Sequence, residues 1–105
     1  MSPKLTISYH PQAKRVLEET IKRDDPTAYS SILKDIQTLS EKGIYPGVLP
    51  RNKLKKLRGQ KKNPNPFWRL REGNWRIVFA IKGNEIKIVW IGRKDDDIYK
   101  KFTSR

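Results

Sequence analysis

The sequence predicts an α+β fold: an N-terminal strand, a helical hairpin, an antiparallel β-meander packed on the helices, and a short C-terminal helix. Three observations predict it. Apolar residues recur at helical spacing between residues 11 and 42, then alternate with polar ones between residues 67 and 91. Two Gly-Asn dipeptides, Gly73-Asn74 and Gly83-Asn84, punctuate the alternating half where hairpin turns belong. The length of 105 residues suits one domain covering 1–105.

Each element has a local cause. Leu5-Thr6-Ile7-Ser8-Tyr9 alternates and reads as a strand. Pro11 opens a helix, because a first turn tolerates a missing N–H. Its apolar stripe is Val16, Leu17, Thr20 and Ile21. Asp24-Asp25-Pro26 ends it and starts the next, with Asp25 as N-cap and Pro26 as first helical residue. The second stripe is Tyr29, Ile32, Leu33, Ile36 and Leu39, and Gly43 is the C-cap stop. Gly and Pro recur from residue 43 to 66, so a long connection follows, with a short strand around Leu54 to Leu57. Connections this long are often functional.

The two turns fix a register. With Gly73-Asn74 as a two-residue loop, Glu72 faces Trp75, Arg71 faces Arg76, Leu70 faces Ile77 and Trp68 faces Phe79. With Gly83-Asn84 as the next, Ile81 faces Ile86, Phe79 faces Ile88 and Ile77 faces Trp90. One face then carries Trp68, Leu70, Trp75, Ile77, Phe79, Ile81, Ile86, Ile88 and Trp90, and packs on the helices. The other carries Arg69, Arg71, Arg76, Val78, Ala80, Lys82, Glu85, Lys87, Val89 and Ile91. Both turns agree, and a one-residue slip in either would mix the faces. After Gly92 come Arg93-Lys94 and Asp95-Asp96-Asp97, acids that suit the start of a short helix.

Charge narrows the function. Lys and Arg number 24 against 11 Asp and Glu, a net charge of +13. Such a field draws in polyanions or an acidic protein. No run approaches the roughly 18 apolar residues of a membrane span, and Met1 to Leu5 holds no apolar signal core. A cytoplasmic protein without a membrane partner is expected. The absence of cysteine excludes disulfides, a thiol nucleophile and a Cys-type zinc site. His10, the one histidine, excludes a His-rich metal site and reads as a surface or capping residue. No cofactor and no metal are expected.

The charge is also concentrated. Arg51, Lys53, Lys55, Lys56, Arg58, Lys61, Lys62, Arg69 and Arg71 lie in a window free of Asp and Glu. This is the footprint of a phosphate-backbone reader. Phe67 and Trp68 sit at its edge, where an aromatic ring can stack a base. The expected RNA contacts are the seven basic residues from Arg51 to Lys62, with Trp68. On the sheet, Arg71 opposite Arg76 is destabilising unless an anion comes between them. An arginine fork matches phosphate bidentately and stays charged at cellular pH. The alternative is that Glu72, Glu85 or the triplet Asp95–Asp97 neutralises the arginines.

Lys56-Leu57-Arg58-Gly59, then Phe67-Trp68-Arg69-Leu70-Arg71-Glu72-Gly73-Asn74-Trp75-Arg76-Ile77-Val78-Phe79, then Ile91-Gly92-Arg93-Lys94 and Ile98-Tyr99 resemble the RelE/ParE superfamily of toxins. The resemblance covers essentially the whole chain and is closest to the RelE-like branch. It implies a RelE-like fold and a toxin role in a type II toxin–antitoxin module. It also implies an endoribonuclease that cleaves mRNA on the ribosome by attack of the 2′-hydroxyl on the adjacent phosphate, inhibiting translation. Partners would be the ribosome, mRNA and a cognate antitoxin, acidic or amphipathic and partly disordered when free. The family's catalytic positions match Arg69, Arg71, Arg76, either Arg93 or Lys94, and Tyr99. Tyr99 would act as base or stack a nucleobase, and a phenol needs neighbouring cations to be a base at neutral pH. Two other readings stay open: a gyrase inhibitor like the ParE branch, and a non-catalytic member that binds only RNA or antitoxin.

Overall fold

Two side-chain caps set the helical half. His10 Nδ1 accepts the Gln12 N–H at 3.1 Å, and Asp25 Oδ1 accepts the Ala28 N–H at 3.2 Å. Each cap precedes a proline at the first helical position, so both helices begin where the sequence places them. The computed structural model describes residues 4–59 and 61–103. Strand β1 (Thr6–Tyr9) leads into α1 (Pro11–Arg15), which continues through a π-helical segment (Val16–Ile21) into α2 (Lys22–Asp24). Helix α3 (Pro26–Lys42) follows and ends at Gly43, whose φ of 91° is left-handed. Ala13, Leu17 and Ile21 are buried from the first helical run, with Val16 at their margin. From α3, Ile32, Ile36 and Leu39 are buried. Leu33, expected on this stripe, is instead exposed, while Asp35 and Ser40 are the polar residues of α3 that are buried. Ser40 fastens α3 to the sheet by donating to the Leu5 carbonyl at 2.6 Å.

The strands β2 (Leu54–Lys56), β3 (Phe67–Glu72), β4 (Trp75–Lys82) and β5 (Glu85–Arg93) join β1 in one sheet of order β1-β5-β4-β3-β2. Only the β1–β5 pair is parallel. Both Gly-Asn turns form, with φ of 59° at Gly73 and 61° at Gly83. The β3–β4 register is as expected, from Glu72 opposite Trp75 to Trp68 opposite Phe79. The short helix α4 (Asp97–Thr103) closes the described chain.

The β4–β5 register departs from expectation. It holds from Lys82–Glu85 to Phe79–Ile88, then shifts. Val78 pairs with Trp90 and Ile77 with Ile91, leaving Val89 as the extra residue of a bulge. One inserted residue exchanges the faces of everything beyond it. Ile91 therefore joins the main core under the helices, while Trp90 moves to the opposite face with Val78 and Leu57. The sheet thus has two apolar sides: a large one under α1–α3 and a small one under α4.

Candidate nucleic-acid interface

The bulge builds the site. Trp90, now on the face away from the long helices, lies over Gly92, where an added Cβ would collide with the indole ring. The Tyr99 ring stacks on Trp90 at 6.0 Å with 14° between planes, and Phe102 packs beside both it and Phe67. Asn65 adds polar ties: its Nδ2 donates to the Phe102 carbonyl at 3.1 Å and its Oδ1 accepts the Phe67 N–H at 2.8 Å. Helix α4 is thereby docked across the sheet with Tyr99 half-buried. Tyr99, Arg69, Lys55, Lys56, Leu57, Arg58 and Thr103 line an open pocket of about 200 Å³. A second, of about 420 Å³, adjoins it across Lys55 and Arg69 and adds Asn52, Leu54 and Arg71. The two make one basic groove along β2 and β3.

Backbone carbonyls hold the arginines. Arg69 Nη1 donates to the carbonyls of Asn52 and Lys53, both at 3.0 Å. Arg71 donates to the Arg51 carbonyl, and Arg76 to the carbonyls of Gly73 (2.7 Å) and Trp75 (2.8 Å). Arg71 and Arg76 face each other across the β3–β4 ladder. No Asp or Glu lies within ion-pair distance of these three among the described residues. Of the acids that could neutralise them, Glu72 pairs with Lys53, Glu85 with Lys87 and Asp97 with Lys100, while Asp96 Oδ1 accepts the Ile98 N–H at the start of α4. Burial pushes the Arg69 guanidinium below its ordinary value, the nearby Tyr99 oxygen opposes this, and the like charges of Arg76 and Arg71 add to it. An anion entering the groove would relieve both the desolvation and the repulsion.

Several expected site residues stand elsewhere. Lys53 does not face solvent as an RNA contact: its Nζ lies 2.8 Å from Asp35 Oδ2 and 3.1 Å from Glu72 Oε1, on the helix side of the sheet. Trp68 is half-buried against the main core, and Lys56 Nζ lies 5.9 Å from its ring centroid. Trp68 lies on the opposite face from Arg69, and Lys56, its partner in the ladder, lines only the edge of the groove, whereas Lys55 is opposite Arg69. The bulge turns Arg93 to the helix side too, with its guanidinium 4.7 Å over the Trp75 ring. Lys94 is exposed, its backbone N–H bound to the Asn74 carbonyl. Arg58 and Lys55 line the groove, Arg51 contributes a carbonyl and an exposed side chain, and Lys61 and Lys62 are exposed on the adjoining loop.

Sequence reasoning missed Asn52, Trp90 and Gly92. Arg51 and Asn52 are both left-handed, with φ of 60° and 56°, and the Lys53 N–H closes the turn on the Pro50 carbonyl at 3.2 Å. Pro50 followed by Asn52 was a turn signal, because Asn tolerates this conformation better than most residues. Among the described residues no His, Cys, Asp and Glu cluster could hold a metal ion, and no helix is long and apolar enough to cross a membrane.

No protein-family model and no curated protein matches the chain. Solved structures do. YoeB of the Staphylococcus aureus dimer is 24% identical, covering 82% of this chain and 92% of its own, with a TM-score of 0.63. A chain of the archaeal RelE–RelB complex from Pyrococcus horikoshii is 22% identical over 88% of this chain and 97% of its own, at a TM-score of 0.60. YafQ from E. coli is 17% identical over 87% and 94%, at 0.58. With the strand order, the docked C-terminal helix and the arginine face already in place, the chain has the fold shared by RelE, YoeB and YafQ.

Proposed function

We propose that this protein is the toxin of a type II toxin–antitoxin module, a ribosome-dependent endoribonuclease that cuts mRNA. The observation that carries the reading is the trio Arg69, Arg71 and Arg76, held by carbonyls and without a carboxylate partner among the described residues, with Arg69 and Arg71 lining an open groove beside Tyr99. RNA lies along β2 and β3 with one phosphate between the arginines. The 2′-oxygen attacks that phosphorus, and the bond from phosphorus to the 5′-oxygen breaks, leaving a 2′,3′-cyclic phosphate and a 5′-hydroxyl. Tyr99 takes the 2′-hydroxyl proton, and a cation of the cluster or a water molecule delivers one to the departing 5′-oxygen. Arg71 and Arg76 stabilise the added negative charge on the phosphorane, where fixed cations act most strongly. The C-terminal cation is Lys94, since Arg93 is committed to Trp75. Guanidinium and phenol are weak acid–base groups, so the ribosome supplies alignment of the 2′-oxygen.

The neighbours include a YoeB–YefM complex and RelE–RelB complexes. By likeness, this chain's partner is a cognate antitoxin, acidic or amphipathic, that covers the basic face. The site of action is the cytoplasm, where the ribosomes are. Cell-free translation followed by primer extension tests the reading. Site-specific mRNA breaks should appear with the wild type and vanish with Arg76→Ala. Intact mRNA with broken, gyrase-bound DNA would overturn it.

A further inference from the structure

We propose that Lys53 is a positioning residue: its ammonium, seated between Asp35 and Glu72, fixes the turn whose carbonyls aim Arg69 and Arg71 into the groove. The proposal rests on the groove being the RNA site and adds to it how the arginines are held. Lys53 belongs to both sides of the sheet. Its side chain passes to the helix side, where Asp35 of α3 lies at 2.8 Å, Glu72 of β3 at 3.1 Å, and Ser31 of α3 donates to the same Glu72 oxygen at 3.0 Å. Its carbonyl faces the other way and accepts from Arg69 Nη1 at 3.0 Å and from the Arg71 backbone N–H at 2.8 Å. The two residues before it supply the remaining carbonyls, Asn52 to Arg69 and Arg51 to Arg71.

This arrangement solves a conflict. A carboxylate would orient a guanidinium well but would compete with phosphate for it. A carbonyl orients it and leaves its full charge available. Carbonyls aim only as well as the backbone that carries them, and this backbone is costly to hold. Arg51 and Asn52 sit at positive φ, a conformation that side-chain-bearing residues avoid. The strand that follows has three residues and lies at the sheet edge. Neither feature would fix the turn unaided. The Lys53 ammonium supplies the missing anchor by tying the turn to α3 and to β3 at once.

The test uses Lys53→Met, Lys53→Arg, and a triple variant, Asp35→Asn with Lys53→Met and Glu72→Gln, which leaves no buried charge without a partner. The Trp75 indole N–H, bound to Asp25 in the folded chain, reports folding by NMR. In a folded Lys53→Met or triple variant, the Nε–Hε signals of Arg69 and Arg71 should collapse toward free-arginine positions. Cleavage in translating extracts should show kcat reduced about tenfold to a hundredfold, the scale of an ångström-sized misplacement, with KM within about twofold. Lys53→Arg should restore most of both. Unchanged arginine signals in a folded variant would overturn the proposal. So would a raised KM with unchanged kcat, which marks an RNA contact instead. If the wild type cuts no RNA, the nuclease reading falls, and the arginine signals alone decide whether Lys53 positions them.

Discussion

Replacing Glu72 with glutamine should remove a pH dependence of stability that the wild type carries between about pH 4.5 and 7. Glu72 is 5% exposed, and its Oε2 has no hydrogen-bond partner among the described residues. Burial pushes its carboxyl up from 4.5 to about 7; the neighbouring Asp35 adds to this, while Lys53 and Ser31 oppose it. A carboxyl raised in this way binds its proton more tightly in the folded chain than in the unfolded one. Its contribution is therefore fully present below the unfolded value and is lost as pH rises through about 7. A rise of this size corresponds to at most about 3 kcal/mol. Lys53, the charge between the two acids, is about a quarter exposed, so solvent reaches the cluster and about 1–2 kcal/mol should remain. Asp35 works in the other direction. Burial raises it, but the neighbouring Glu72 carboxyl and the Lys53 ammonium at 2.8 Å prevail and hold it below its usual range. Its stabilisation is lost only as pH falls below about 4, outside the window. Urea unfolding of wild type and Glu72→Gln from pH 5 to 8.5 measures the effect, and taking the difference cancels other titrating groups. The variant should gain about 1–2 kcal/mol on the wild type across the range. Parallel curves would refute the reasoning.

Gly92→Ala should drive Trp90 off its seat and cost about 1–3 kcal/mol as an overpacked site. Near-ultraviolet circular dichroism should lose the Trp90–Tyr99 signal, and mRNA cleavage should fall with it. Asp25→Ala removes the N-cap of α3 and the acceptor of the Trp75 indole N–H together. It should lower unfolding free energy by about 2 kcal/mol in denaturant titration without altering the arginine face. Binding of a short single-stranded RNA, followed by anisotropy, should weaken steeply with salt. Arg58→Gln or Lys61→Gln should each reduce the slope of log affinity against log salt by about 0.7, and Lys56→Gln by less, because its ammonium lies over Trp68.

What could be seen in the sequence follows from which forces are local. The caps at His10 and Asp25, both Gly-Asn turns, the short strand at Leu54 and the C-terminal helix each depend on neighbouring residues, and all are where the sequence predicts them. Arg69, Arg71 and Arg76 share a face because the tight turn between β3 and β4 leaves no freedom of register. The bulge at Val89 has no such signal. Val89, Trp90 and Ile91 are all apolar, so either face accepts them, and the choice falls to tertiary packing against α4 and the helices. That one residue decides two roles, sending Trp90 under Tyr99 and Arg93 away from the arginine face.

Lys53 shows why charge alone misleads in so basic a chain. Counted by residue type, it belongs with Lys55 and Arg58 in the groove. Its partners Asp35 and Glu72 lie 18 and 19 residues away on either side, and no spacing rule joins a mid-helix acid to a strand-end acid. Their burial is what removes Glu72 as a partner for Arg71, its neighbour in sequence. The same ion cluster that takes one cation out of the groove thus keeps an anion from neutralising the others. Glu72→Lys therefore should not strengthen RNA binding in proportion to its two added charges. Placed beside Lys53 it would break the cluster, free Asp35, and release the turn that holds Arg69 and Arg71. The net charge of the chain would rise while its phosphate site loosened.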